Sequence, residues 1–145
     1  MLRAGERVLD ALDQADLVSE RNHGYRVTGA PGFVSMELIE SPFDRRPLWD
    51  AGRTLPPGAV ETFTLSGDEH ARNVRLLVRA VPNQRTSVDV TANDEPIGKL
   101  VLEPGNGWVE SAISHERLSA RKLRIKLGGS DRERLVYHVF LVAEP

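Results

Sequence analysis

Cysteine is absent from the 145 residues. That removes disulfides, thiolate metal sites and cysteine nucleophiles together. Lysine is nearly absent too, standing only at Lys99, Lys122 and Lys126. Arginine carries the remaining cationic charge, a usage that suits a GC-rich bacterial genome. Lys+Arg is 19 against Asp+Glu 21, a formal net charge of -2. No positive excess draws the chain to nucleic acid. No apolar run approaches the roughly 18–20 residues that span a bilayer, so no transmembrane segment is expected. The stretch Met1 to Arg7 holds no apolar region of the signal-peptide kind.

The usual signatures of catalysis are missing as well. The histidines His23, His70, His115 and His138 show no spacing at which two would share a metal. No nucleophile elbow, phosphate-cradling glycine loop or dinucleotide fingerprint occurs. The expectation is a chain that is not an enzyme and uses no cofactor.

What is present is a β pattern. Short runs rich in Val, Leu, Ile, Thr and Phe alternate with Gly, Pro, Asn and Asp clusters, as in antiparallel strands joined by turns. The predicted strands are Tyr25–Thr28, Phe33–Ile39, Pro47–Asp50, Val60–Leu65, Val74–Ala80, Ser87–Ala92, Ile97–Leu102, Trp108–Ile113, Lys122–Leu127 and Leu135–Val142. Between them, Pro31-Gly32, Pro56-Pro57-Gly58 and Pro104-Gly105-Asn106-Gly107 favour turns. Asn93-Asp94 reads as a tight hairpin, and Gly128-Gly129-Ser130-Asp131 as another. In Lys122–Leu127 the period of two sends Leu123, Ile125 and Leu127 to a core and the cations to water. Leu135–Val142 is apolar on both faces except at His138, which suits a covered central strand. Before Tyr25, the spacing of Val8, Leu9, Leu12, Ala15, Leu17 and Val18 suggests a short amphipathic helix, although Leu9-Asp10 and Leu12-Asp13 also permit a strand. Length and texture predict one domain over 1–145: a helix or loop segment over 1–24 packed on strands over 25–145.

Candidate functional residues are few. The aromatics are Trp49, Trp108, Tyr25, Tyr137, Phe33, Phe43, Phe63 and Phe140. An exposed aromatic face on a sandwich can stack a sugar ring, which singles out Trp49 and Trp108. Glu110, His138 and Arg79 form the best polar constellation, if their separate strands bring them together. Glu37, Glu40, Glu61, Asp89 and Glu110 are expected on a solvated face by alternation. Asp13, Asp16 and Glu20 could offer oxygens to calcium. A cap and turn network, with Asp16 or Ser19 closing a helix end, explains them more simply. Arg79, on the non-core face of its strand, is expected to pair with Asp13, Asp16 or Glu20 as the N-terminal segment folds back. An apolar surface at Leu77, Val81 and Val139 would serve a protein partner.

The order of motifs resembles a known family. Glu61-Thr62-Phe63-Thr64-Leu65 is similar to the opening strand of a galactose-binding-like β-sandwich module, and Arg75–Arg79 and Ser87–Val90 to its next two. The hairpin Glu95–Leu100, then Gly107-Trp108-Val109-Glu110, Leu123-Arg124-Ile125 and the closing Tyr137–Val142, follow in the family's order. Asp16 to Tyr25 is similar to the N-terminal edge of such modules. The resemblance covers about Val60 to Val142. It implies a jelly-roll β-sandwich of the accessory kind appended to carbohydrate-active or surface proteins. Such modules do no chemistry, and bind a glycan or brace a neighbouring domain or protein. The ligand-binding candidates are then Trp49, Trp108, Arg79, Glu110 and His138.

Overall fold

The computed structural model describes residues 2–29, 33–40 and 47–145, with side chains for 2–29 and 50–145. The turn expected at Pro31-Gly32 lies outside the described residues, as do the side chains of Phe33 and Trp49. Among the described residues eleven strands follow one another: β1 (Arg7–Asp13), β2 (Arg26–Thr28), β3 (Phe33–Glu40), β4 (Pro47–Leu55), β5 (Val60–Ser66), β6 (Arg75–Pro82), β7 (Thr86–Ala92), β8 (Glu95–Leu102), β9 (Val109–Ser114), β10 (Lys122–Gly128) and β11 (Arg134–Ala143). Among the described residues the one α-helix, α1 (Leu17–Asn22), lies between β1 and β2, and a short 3₁₀ turn (Glu116–Leu118) follows β9. One sheet runs β3-β4-β11-β6-β9, with β1 also paired to β11; the other runs β2-β5-β10-β7-β8. All pairings are antiparallel.

This is the sandwich that the alternation predicts. Leu123, Ile125 and Leu127 of β10 meet Leu76, Val78 and Ala80 of β6 in one core shared by both sheets. Asn93 and Asp94 both take positive φ, 48° and 68°, and turn β7 into β8 as a two-residue hairpin. Strand β11 lies at the centre of its sheet, which explains why it is apolar on both faces.

Two local expectations are corrected. The first half of the N-terminal segment is strand β1, not helix, and the helix starts only at Leu17. From His138 onward the edge of β11 offers backbone donors and acceptors, and pairing with them outweighs the short helical pattern between Val8 and Val18. The Asp16 carboxylate caps α1, accepting from the backbone N–H groups of Val18 (2.9 Å) and Ser19 (3.1 Å), so the cap network is real. Secondly, Gly128-Gly129-Ser130-Asp131 joins no hairpin. It carries the chain from β10 in one sheet to β11 in the other. Gly129 sits at φ +70°, and a side chain there would collide with the Asp89 carboxylate.

Glu6, just before β1, clasps that strand to the sandwich. Arg75 Nε donates to Glu6 Oε1 (2.7 Å) and Nη2 to Oε2 (2.6 Å). These bonds, helped by the Arg3 backbone N–H, pull the Glu6 carboxyl down to about 2. A carboxyl depressed in the folded state stabilises it fully above its ordinary value of 4.5, and the contribution disappears as pH falls through about 2. Urea unfolding should therefore separate wild type from Glu6→Gln by a constant gap above pH 4.5 that closes in acid. A gap that widens as the pH drops contradicts this clasp.

Candidate functional site

On the outer face of the six-stranded sheet, a break in the strand alternation gathers the polar groups. Across β11 and β6, Val136 pairs with Ala80 and His138 with Arg79, so Tyr137 is an extra residue. Such a bulge re-aims the side chains beside it. Val136 and Val139 both point into the core. Tyr137 instead packs with Trp108, Val81 and Leu135 in a second, small cluster. Its ring lies against Gly52 of β4, where a Cβ would leave no space.

The bulge also lies where β11 changes neighbours. Along one edge it pairs with β4 through Val136, then with β1 from His138 onward. The end of β1 and the middle of β4 thus converge on His138. Its Nε2 lies 3.3 Å from Asp50 Oδ2 and 3.7 Å from Asp13 Oδ1. Burial, reinforced by the positive charge of Arg79, pushes the imidazole down to about 4, so it is neutral at pH 7. Burial acts oppositely on the acids. Asp13 is pushed up to about 6, with Asp50, Asp16 and Glu20 adding repulsion. Asp50 is raised by burial as well.

Four of the five residues singled out in the sequence come together here. Arg79 faces Glu110 on β9 directly across the strand pair, and its Nε donates to Glu110 Oε1 at 2.7 Å. Its guanidinium carbon lies 4.9 Å from the Phe140 ring centre and 5.4 Å from that of Trp108. Trp108 is 8% exposed and meets His138 edge-on at 5.1 Å. It is therefore the shelf beneath Arg79 and His138, with little of its face open to solvent. Trp49 is placed by its backbone alone, on β4 opposite Leu38. Beside the ion pair runs a groove of about 180 Å³ lined by Leu2, Leu77, Arg79, Glu110 and Phe140.

Three further expectations change. Arg79 takes its carboxylate from Glu110; in the N-terminal segment Glu20 is instead held by Arg53, through Nε (3.0 Å) and Nη2 (2.8 Å). Cross-strand neighbours need no chain ordering to meet, so they win over a distant segment. Glu61 is not on a solvated face. It is wholly buried and pairs with Arg134 at 3.3 Å, because β5 turns that side chain between the sheets. Nor do Leu77, Val81 and Val139 form an exposed apolar patch: Val139 is core, Leu77 is 2% exposed, and Val81 packs on Trp108 and Tyr137. The bulge is what moves Val139 inward. No residue pattern announced Asp50 as a neighbour of His138; that contact depends on where β4 leaves β11.

No family model and no curated protein matches the chain. Solved structures do. A family 35 carbohydrate-binding module from Clostridium thermocellum aligns at 11% identity with a TM-score of 0.60, over 98% of this chain and 100% of that one. The module CsCBM6-3 from Clostridium stercorarium, solved with cellobiose, aligns at 11% identity and TM-score 0.56, over 93% of each chain. An exo-β-1,3-galactanase from Phanerochaete chrysosporium, solved with β-1,3-galactotriose, aligns at 10% identity and TM-score 0.58, over 93% of this chain and 29% of the enzyme. The chain has the jelly-roll β-sandwich fold of these modules.

Proposed function

We propose that this chain is a non-catalytic accessory domain that binds a glycan on the outer face of its six-stranded sheet. The observation that carries the reading is the groove beside Arg79 and Glu110. It pairs the apolar Leu2 and Phe140, over a nearly covered Leu77, with one fixed cation and one fixed carboxylate. A sugar ring needs this combination: an apolar surface for its C–H face and preset donors and acceptors for its hydroxyls. At about 180 Å³ the groove is smaller than the 300–1,000 Å³ typical of pockets for drug-sized ligands, so it takes one ring of a longer chain. The fold is shared with a module solved in complex with cellobiose, and with part of a galactanase, which supports an appended role.

Arg79 and Glu110 are bound to each other, unlike groups held ready to exchange protons. That favours recognition over catalysis. A glycan array with the whole chain tests the reading. Binding should appear for at least one oligosaccharide and weaken by at least about tenfold, or about 1.4 kcal/mol, in Glu110→Gln and in Phe140→Ala. Binding to no glycan, by a chain whose β-rich circular dichroism is intact, favours instead a domain that braces a neighbouring domain or protein. The strongly exposed Leu17 and Val18 on α1 are the place to look for that partner.

A further inference from the structure

Next to the groove, and used by neither the Arg79–Glu110 pair nor its walls, three ligating atoms converge. One ligating atom each from Asp13, Asp50 and His138 lie within 4.8 Å of one another, with His138 Nε2 3.3 Å from Asp50 Oδ2 and 3.7 Å from Asp13 Oδ1. They come from the end of β1, from β4 and from β11, so chain neighbourhood does not explain their meeting. His138 is held by packing, between the Trp108 ring at 5.1 Å and the Phe140 ring at 5.7 Å. Its side chain is 14% exposed, yet neither ring nitrogen makes a hydrogen bond among the described residues, and Nδ1 is fully buried. Asp50 is oriented by its own backbone: Oδ1 accepts from the Ala51 N–H at 2.8 Å, which turns Oδ2 toward Nε2. Asp13 is 45% exposed and forms the open side. Among the described residues no lysine or arginine nitrogen lies within 4.0 Å of either carboxylate; Arg79, which is bound to Glu110, acts on Asp50 through its charge and without direct contact.

We propose that Asp13, Asp50 and His138 are the ligands of a divalent transition-metal site, with Zn²⁺ the best fit. The 3.3 and 3.7 Å separations exceed a good hydrogen bond. They match the spacing of ligand atoms that each lie about 2.0–2.2 Å from one metal. One imidazole nitrogen with two carboxylate oxygens suits Zn²⁺. Ca²⁺, which takes about six to eight oxygens, would leave the histidine unused. Three protein ligands keep a fourth position open toward solvent beside Asp13. The site does not depend on the glycan reading and stands or falls separately.

Calorimetric titration of ZnCl₂ into the whole chain, carrying no added histidines, is the test. One Zn²⁺ should bind per chain, at least about tenfold more weakly in His138→Phe, Asp50→Asn and Asp13→Asn. Co²⁺ should give the visible absorption of a low-coordinate site, and each variant should lose it. His70→Ala, at an 87% exposed side chain, should leave both signals unchanged. Asp13→Asn sits at the most exposed ligand and keeps the test decisive if His138→Phe does not fold. Wild-type protein that takes up no Zn²⁺ overturns the proposal, and so does Zn²⁺ affinity unchanged in Asp13→Asn and Asp50→Asn.

Discussion

Replacing Arg134 with methionine should cost the fold about 3–5 kcal/mol, one of the two largest effects expected of any single change discussed here. Glu61 is 0% and Arg134 1% exposed, and they meet at 3.3 Å between the sheets. Glu61 also accepts from Gln14 Nε2 (2.5 Å) and from the Tyr25 hydroxyl (2.7 Å). Arg134→Met leaves that carboxylate buried without its counter-charge, and the penalty is the desolvation that the guanidinium had offset. Glu61→Gln in the same chain removes the charge but keeps an acceptor for Gln14 and Tyr25. The double variant should therefore regain most of the loss in urea unfolding. A loss under about 1 kcal/mol for Arg134→Met would mean that water reaches the pair.

Trp108→Ala should cost a similar amount, about 3–5 kcal/mol. Trp108 supports Tyr137 at 5.9 Å, His138 at 5.1 Å and the Arg79 guanidinium at 5.4 Å, so its removal opens a cavity beneath all three. Trp108→Phe keeps much of the buried area and should lose clearly less. Thermal unfolding followed by circular dichroism reads both. The consequence for ligand work is direct. Loss of glycan binding in Trp108→Ala counts as loss of a contact only when measured well below its lowered melting temperature. Glu110→Gln, which removes a charge and no packed ring, is the cleaner change. A Trp108→Ala chain as stable as wild type contradicts the supporting role assigned to this ring.

What the residues determine by themselves is the sandwich. Period-two alternation in Lys122–Leu127 places one face inward whatever the neighbouring strands are, because one face of an amphipathic strand must leave water. Turn chemistry acts equally locally, so Asn93-Asp94 turns the chain where its composition says it should. Arg79, Glu110, His138, Trp108 and Trp49 stand out in the sequence as polar or aromatic residues on otherwise apolar strands. Their arrangement does not. Strand register is a long-range choice, and it decided that Arg79 meets Glu110 and not the N-terminal acids. One extra residue at Tyr137 inverted the facing of everything beyond it in β11, which buried Val139 and brought His138 to the outer face. The exchange of β4 for β1 along one edge of β11 then set Asp50 and Asp13 beside that histidine. Alternation reports which residues leave water. Only the paired sheet decides which of the polar remainder touch, because those contacts join residues tens of positions apart through hydrogen bonds that no local pattern encodes.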